Sequence, residues 1–115
     1  MSLFGSLAQT VLLKAYPFRA GRKELIRALA RRYDTPFLWS GDWGIRYLLR
    51  TRNFLDQSLA RDGHYEAAAV DGLCWQINRR GVDLFLDIGA ASGIYSLTVA
   101  KRTGCRDIVA FEPDP

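Results

Sequence analysis

Apolar positions recur with a helical period after Gly21: Ile26, Leu29, Ala30 and Tyr33 fall at i, i+3, i+4 and i+7, while Lys23, Arg27 and Arg31 face the other way. Asp34-Thr35-Pro36 ends this helix, because a proline ring drives the preceding residue out of the helical region. Ahead of it, Met1–Ala20 is apolar and basic and reads as a helix broken at Pro17. Phe37-Leu38-Trp39 and Ile45-Arg46-Tyr47-Leu48-Leu49, rich in aromatic and branched residues, flank the turn signal Ser40-Gly41-Asp42 and predict a β-hairpin. Helix over Tyr47–Leu55 is the alternative for the second arm. Asn53 or Asp56 can cap a short helix running towards Arg61, with Gly63 ending it.

From Tyr65 to Arg80 the pattern is helical again. Val70, Leu73, Cys74 and Ile77 form an apolar stripe, which Trp75 is expected to widen. Arg79 and Arg80 complement the C-terminal dipole, and Gly81 suits the left-handed position after the helix. A strand at Asp83–Asp87, a helix at Gly93–Arg102 ended by Gly104, and a strand at Asp107–Phe111 follow. A strand–helix–strand run implies a parallel pair joined by a right-handed crossover, the start of an α/β fold of Rossmann-like type.

Bulk numbers change this picture little. At 115 residues, 49% hydrophobic and 24% charged, the chain has the composition of an ordinary globular domain. Charge is uneven: residues 1–33 hold seven bases and one acid, Glu24, whereas residues 34–115 hold nine bases and eleven acids. The net charge of +4 is therefore a property of a basic N-terminal arm. Cys74 and Cys105 lack Cys-x-x-Cys spacing and lie in apolar surroundings, so they read as free thiols of a reducing compartment. His64, the sole histidine, gives no basis for a histidine metal site. Uncharged runs stop well short of the ~20 residues that span a bilayer. Met1–Leu13 also lacks the basic start of a secretory signal, so a cytoplasmic protein is expected.

The chemistry concentrates at Leu84-Phe85-Leu86-Asp87-Ile88-Gly89-Ala90-Ala91-Ser92-Gly93. In a strand–helix–strand unit the ligand lies outside the carboxyl ends of the strands, against the loop that opens the helix. Gly89 permits a backbone conformation forbidden to a side chain, Gly93 permits close approach, and Ala90 keeps the loop small. Glu112, at the end of the second strand, can accept two hydrogen bonds from a ribose diol. The dinucleotide pattern Gly-x-Gly-x-x-Gly is absent; the loop is Gly89-x-x-x-Gly93. Asp87 at the first strand's tip would repel a pyrophosphate and attract a ligand carrying an ammonium and a sulfonium. S-adenosylmethionine carries both. Taken alone, Asp87 reads better as a helix N-cap or a strand-end acid without a ligand; Gly89, Gly93 and Glu112 beside it turn the balance to a cofactor contact.

Phe85-Leu86-Asp87-Ile88-Gly89-Ala90 and Ser92-Gly93-Ile94-Tyr95-Ser96-Leu97 resemble the first motif of the FkbM-type methyltransferases. Ala110-Phe111-Glu112-Pro113-Asp114-Pro115 resembles their second motif, and Gly63-His64-Tyr65-Glu66 resembles a Tyr-Glu pair that precedes the family's first helix. Ala91 departs from the polar residue, often Asn, usual at its position. The resemblance covers residues 63–115 and implies methyl transfer from S-adenosylmethionine to a hydroxyl of a sugar or natural product. By the same resemblance Asp87 and Glu66 lie near the methionine end, Gly89, Ala90 and Gly93 form the cofactor floor, and Glu112 holds the ribose. It supplies no catalytic residue.

Residues 1–62 then form an extension and 63–115 the start of a methyltransferase domain that needs further strands. Such a fragment is expected to be inactive alone and, with strands uncovered, to be marginal, aggregation-prone or stabilised by self-association. Tyr95 and Trp75 are expected in the core, Trp39 and Trp43 packing the hairpin on the helices, and Arg22, Arg27, Arg31 and Arg32 on a solvated face. The arm's rival use is peripheral contact with anionic lipid, supported by the apolar Met1–Leu13; no nucleic-acid partner is expected. Two alternatives to the methyltransferase reading are a dinucleotide-binding oxidoreductase fragment and a non-catalytic adaptor acting through the basic arm.

Overall fold

The computed structural model describes residues 3–113, and the chain is mixed α/β, with helices and two small sheets among the described residues. It divides into two compact units between Tyr65 and Glu66. Met1, Ser2, Asp114 and Pro115, the ends of the basic arm and of the second motif, lie outside the described residues.

The first unit contains α1 (Leu3–Ala15), α2 (Arg22–Arg32), β1 (Phe37–Ser40), β2 (Arg46–Leu49) and α3 (Phe54–Asp62). β1 and β2 form the expected antiparallel hairpin, from Phe37 opposite Leu49 to Ser40 opposite Arg46. Alternation fixes its faces: Phe37, Trp39, Tyr47 and Leu49 point inward, and Leu38, Ser40, Arg46 and Leu48 outward. The helical alternative over Tyr47–Leu55 is not adopted, since the chain is strand to Leu49 and helix only from Phe54. Asn53 sets that start, its Oδ1 accepting from the backbone N–H of Leu55 at 2.9 Å and of Asp56 at 3.4 Å. Asp56, the other candidate cap, is buried and accepts from the Arg50 N–H at 2.7 Å. Gly63, at φ 81°, ends α3 in the left-handed conformation.

Two side chains in this unit depart from expectation. Trp43 sits exposed at the hairpin tip with φ 63°, so only Trp39 packs inward, edge-on to Phe37. Arg22 is half-buried rather than solvated. Its Nε donates to the Ala60 carbonyl at 2.9 Å and its Nη1 to those of Leu13 and Tyr16, while the guanidinium lies 5.4 Å from the Trp39 ring centroid. A planar fork of donors suits helix-end carbonyls that have no partner within their own helix. Gln9 is the other cross-link. It is fully buried on α1, donates to the Thr35 carbonyl at 2.9 Å and accepts from the Thr51 hydroxyl at 3.1 Å. One amide thus ties α1 to the segments before β1 and after β2.

The second unit contains α4 (Ala67–Arg80), β3 (Leu84–Ile88), α5 (Ile94–Arg102) and β4 (Asp107–Phe111). β3 and β4 pair in parallel, Leu84 opposite Asp107 through Ile88 opposite Phe111, as the strand–helix–strand pattern predicts. Val70, Cys74 and Ile77 of α4 pack with Val99 of α5, and Phe85 and Ile108 close this core from the sheet. Burial pushes the Cys74 thiol above its ordinary range, so the side chain behaves as a small apolar group. Cys74 and Cys105 are both free thiols. The opposite sheet face, Leu84, Leu86, Ile88, Val109 and Phe111, is exposed.

Trp75 is 55% exposed rather than in the core. At 3.6 residues per turn it projects about 150° from the centre of the Val70–Ile77 stripe, and Arg79 stacks on it at 4.9 Å. Gly104 does not cap α5. The cap is Thr103 in an extended conformation, and the Gly104 N–H donates to Asn78 Oδ1 at 3.1 Å. Among the described residues no helix is long and apolar enough to cross a membrane.

Replacing Gln9 by Leu preserves bulk but takes the amide donor from the Thr35 carbonyl and leaves the Thr51 hydroxyl only its longer contact with the Tyr33 carbonyl, 3.5 Å. Urea unfolding followed by circular dichroism should show a loss of about 2–3 kcal/mol. A Leu variant as stable as wild type would show that this amide does not hold the unit together.

Candidate functional site

The segment from Ile88 to Ile94 must leave a parallel strand and enter a helix within one short loop. It does so through left-handed backbone at Gly89 (φ 80°), Ala91 (φ 49°) and Gly93 (φ 78°). A Cβ on Gly89 would meet nothing within 4 Å, so conformation rather than crowding requires glycine there, and its backbone faces open space. Ala91 has no such freedom. For an L-residue with a Cβ the left-handed region costs roughly 1–2 kcal/mol, and Asn tolerates it better. Ala91 is therefore under backbone strain at a position where Asn would be better tolerated.

Three successive N–H groups of the loop turn towards the end of β4. The Phe111 carbonyl accepts from Gly89 N–H at 2.8 Å and Ala90 N–H at 3.0 Å. The Glu112 carboxylate accepts from Ala91 N–H at 2.6 Å. The strand-tip acid is thus held against the loop. Beside it lies an open hollow of about 460 Å³ lined by Ile88, Gly89, Ala110, Phe111, Glu112 and Pro113. Its walls are apolar except at the Glu112 carboxylate and the backbone.

The other two acids converge on the first turn of α5. Asp87 is buried at the end of β3, and its Oδ2 accepts from the Ser96 N–H at 3.1 Å and the Ser96 hydroxyl at 2.6 Å. Ser96 N–H is one of the helix-start donors without an intrahelical partner, so Asp87 caps α5 from the strand, a contact worth about 0.5–2 kcal/mol. Glu66, itself left-handed at φ 49° where α4 begins, accepts from the Tyr95 hydroxyl at 2.6 Å. Tyr95 is half-buried against the core, as expected, but its hydroxyl is an anchor for an acid. Carboxylates beside a helix N-terminus are favoured by its partial positive charge.

Of the six expected site residues, the hollow gathers Gly89 and Glu112. Asp87, Ala90, Gly93 and Glu66 lie outside its wall, in or against the loop and helix start that border it. Ser96, Tyr95 and the Ala91 N–H are the added members. Ser96 carries a local signal, a small hydroxyl in the first turn of a helix that follows a strand-tip acid. The Tyr95–Glu66 pair carries none, since 29 residues separate its members. No three His, Cys, Asp or Glu side chains among the described residues are grouped to hold a metal ion. No family model matches this chain, and neither does any curated protein or solved structure.

Relieving the strain at Ala91 gives a direct check on the loop. Ala91→Gly should stabilise the chain by about 1 kcal/mol in thermal or urea unfolding, and Ala91→Val should destabilise it by at least as much. Equal stability of the two variants would contradict left-handed backbone at this position.

Proposed function

We propose that the second unit binds S-adenosylmethionine, and that it serves methyl transfer of FkbM type to a hydroxyl of a glycan or other small molecule. One observation carries this reading: Glu112 at the tip of β4 is held over the Gly89–Gly93 loop beside an open, largely apolar hollow. An adenosyl group needs an apolar wall for its base and an acceptor pair for its ribose hydroxyls. Ile88 and Phe111 supply the first, and the Glu112 carboxylate supplies the second.

Charge favours this cofactor over a dinucleotide. Asp87 and Glu66 both bond to the first turn of α5, and Glu112 bonds to the loop before it. A helix N-terminus that would otherwise attract a pyrophosphate is surrounded by carboxylates, which repel phosphate and attract cations. The ammonium and sulfonium of the methionine end suit the side of the loop near Asp87 and Glu66. When bound, the cofactor supplies a methyl group on a positively charged sulfur. The residues named here bind and orient it: Glu112 fixes the ribose, Gly89 leaves the loop backbone open to the ligand, and Asp87 holds Ser96 and with it the start of α5.

Calorimetry on the chain tests the reading. S-adenosylmethionine should bind and NADH should not, and Glu112→Ala should weaken binding roughly tenfold or more, as expected on losing hydrogen bonds to a charged acceptor. Binding of NADH, or undiminished S-adenosylmethionine binding by Glu112→Ala, would refute it.

A further inference from the structure

Helix α1 is inverted relative to its own composition. Gly5, Gln9 and Leu13 face inward, whereas Leu3, Phe4, Leu7 and Val11 are 79, 77, 64 and 52% exposed. At 3.6 residues per turn these four side chains project within a sector of about 100° and so form one ridge. Lys14 falls in the same sector at the C-terminal end, and the helix carries no acid. Thr10 Oγ1 donates to the Leu38 carbonyl at 3.1 Å, which lays β1 along one flank of the ridge. On the hairpin's outer face the cross-strand pairs Leu38–Leu48 and Ser40–Arg46 are exposed as well. Single exposed apolar residues are ordinary; a continuous ridge marks an interaction surface.

We propose that the first unit docks on an anionic lipid bilayer through this ridge, with α1 lying in the plane of the interface. Charge selects the occupant. Residues 1–65 hold eleven bases and five acids, a net charge of +6. A second copy meeting this face would set two strongly positive units against each other, whereas acidic headgroups neutralise them. Phe4 and Leu7 enter the acyl boundary, and Lys14 and Arg46 bury their stems while their charged ends stay at headgroup level. At 13 residues α1 lies flat rather than crossing. This inference rests on the first unit alone and stands apart from the cofactor reading.

Co-sedimentation of the chain with phosphatidylcholine vesicles, with and without about 30% phosphatidylserine, tests it. Binding should be at least about fivefold stronger on the anionic vesicles and fall several-fold when salt is raised from about 0.1 to 0.5 M. The exposed-site double variants Phe4→Ser/Leu7→Ser and Lys14→Glu/Arg46→Glu should each weaken it roughly tenfold with unchanged circular dichroism. The salt comparison uses wild-type protein, so it decides the matter even if a variant fails to fold. No binding, equal binding to neutral and anionic vesicles, or wild-type binding by either folded variant would overturn the proposal. So would a dimer, seen by ultracentrifugation in the absence of vesicle binding, that Phe4→Ser/Leu7→Ser abolishes.

Discussion

The candidate site depends on the left-handed backbone between β3 and α5. Between Ile88 and Ile94 the chain reverses out of a parallel strand, and conformations at Gly89, Ala91 and Gly93 let successive N–H groups turn towards β4. Straightening any one of them would separate Glu112 from the Ala91 N–H and move the start of α5 away from Asp87. The acids return the constraint. Glu112 holds the loop from one strand tip, Asp87 holds the helix start from the other, and Glu66 holds the same turn through Tyr95. Local strain at Ala91 persists because these hydrogen bonds over-determine the loop, as is common where backbone serves a ligand.

Charge divides the chain as the fold does. The first unit, with +6, presents an apolar ridge with Lys14 at its end, and residues 66–115, with seven acids and five bases, place three acids around one helix start. Opposite net charges on the two units suit the two proposed ligands, acidic headgroups for one and a cationic cofactor for the other.

The sequence made the elements readable because their signals are local. Asn53 and Gly63 bound α3, Gly81 follows α4, the hairpin announces itself by alternation around Ser40-Gly41-Asp42, and the parallel pair follows from strand–helix–strand spacing. Gly89 is legible as a left-handed position; Gly93, expected to allow close approach, is also left-handed, with no atom nearer than 3.7 Å to where its Cβ would lie, and Ala91 is not legible, since nothing local forces an alanine there. Periodicity also misjudged what faces inward. It assigns apolar residues to the core, yet α1 buries Gln9 because Thr35 and Thr51 come from distant segments to satisfy it. Arg22 was invisible for the same reason, its partners being carbonyls at Leu13, Tyr16 and Ala60. Trp75 was misplaced by its type rather than by its angle on the helix. What pattern cannot supply is long-range hydrogen bonding, and the acids' anchors at Ala91 and Tyr95 are of that kind.

The central claim is that the Gly89–Gly93 loop with Glu112 receives the cofactor. Backbone amide NMR of the chain, titrated with S-adenosylhomocysteine, reads it residue by residue. The account predicts saturable shifts at Gly89, Ala90, Ala91, Gly93 and Glu112, with the hairpin amides of residues 37–49 unmoved. Shifts centred on the first unit, or none at millimolar ligand, would contradict it.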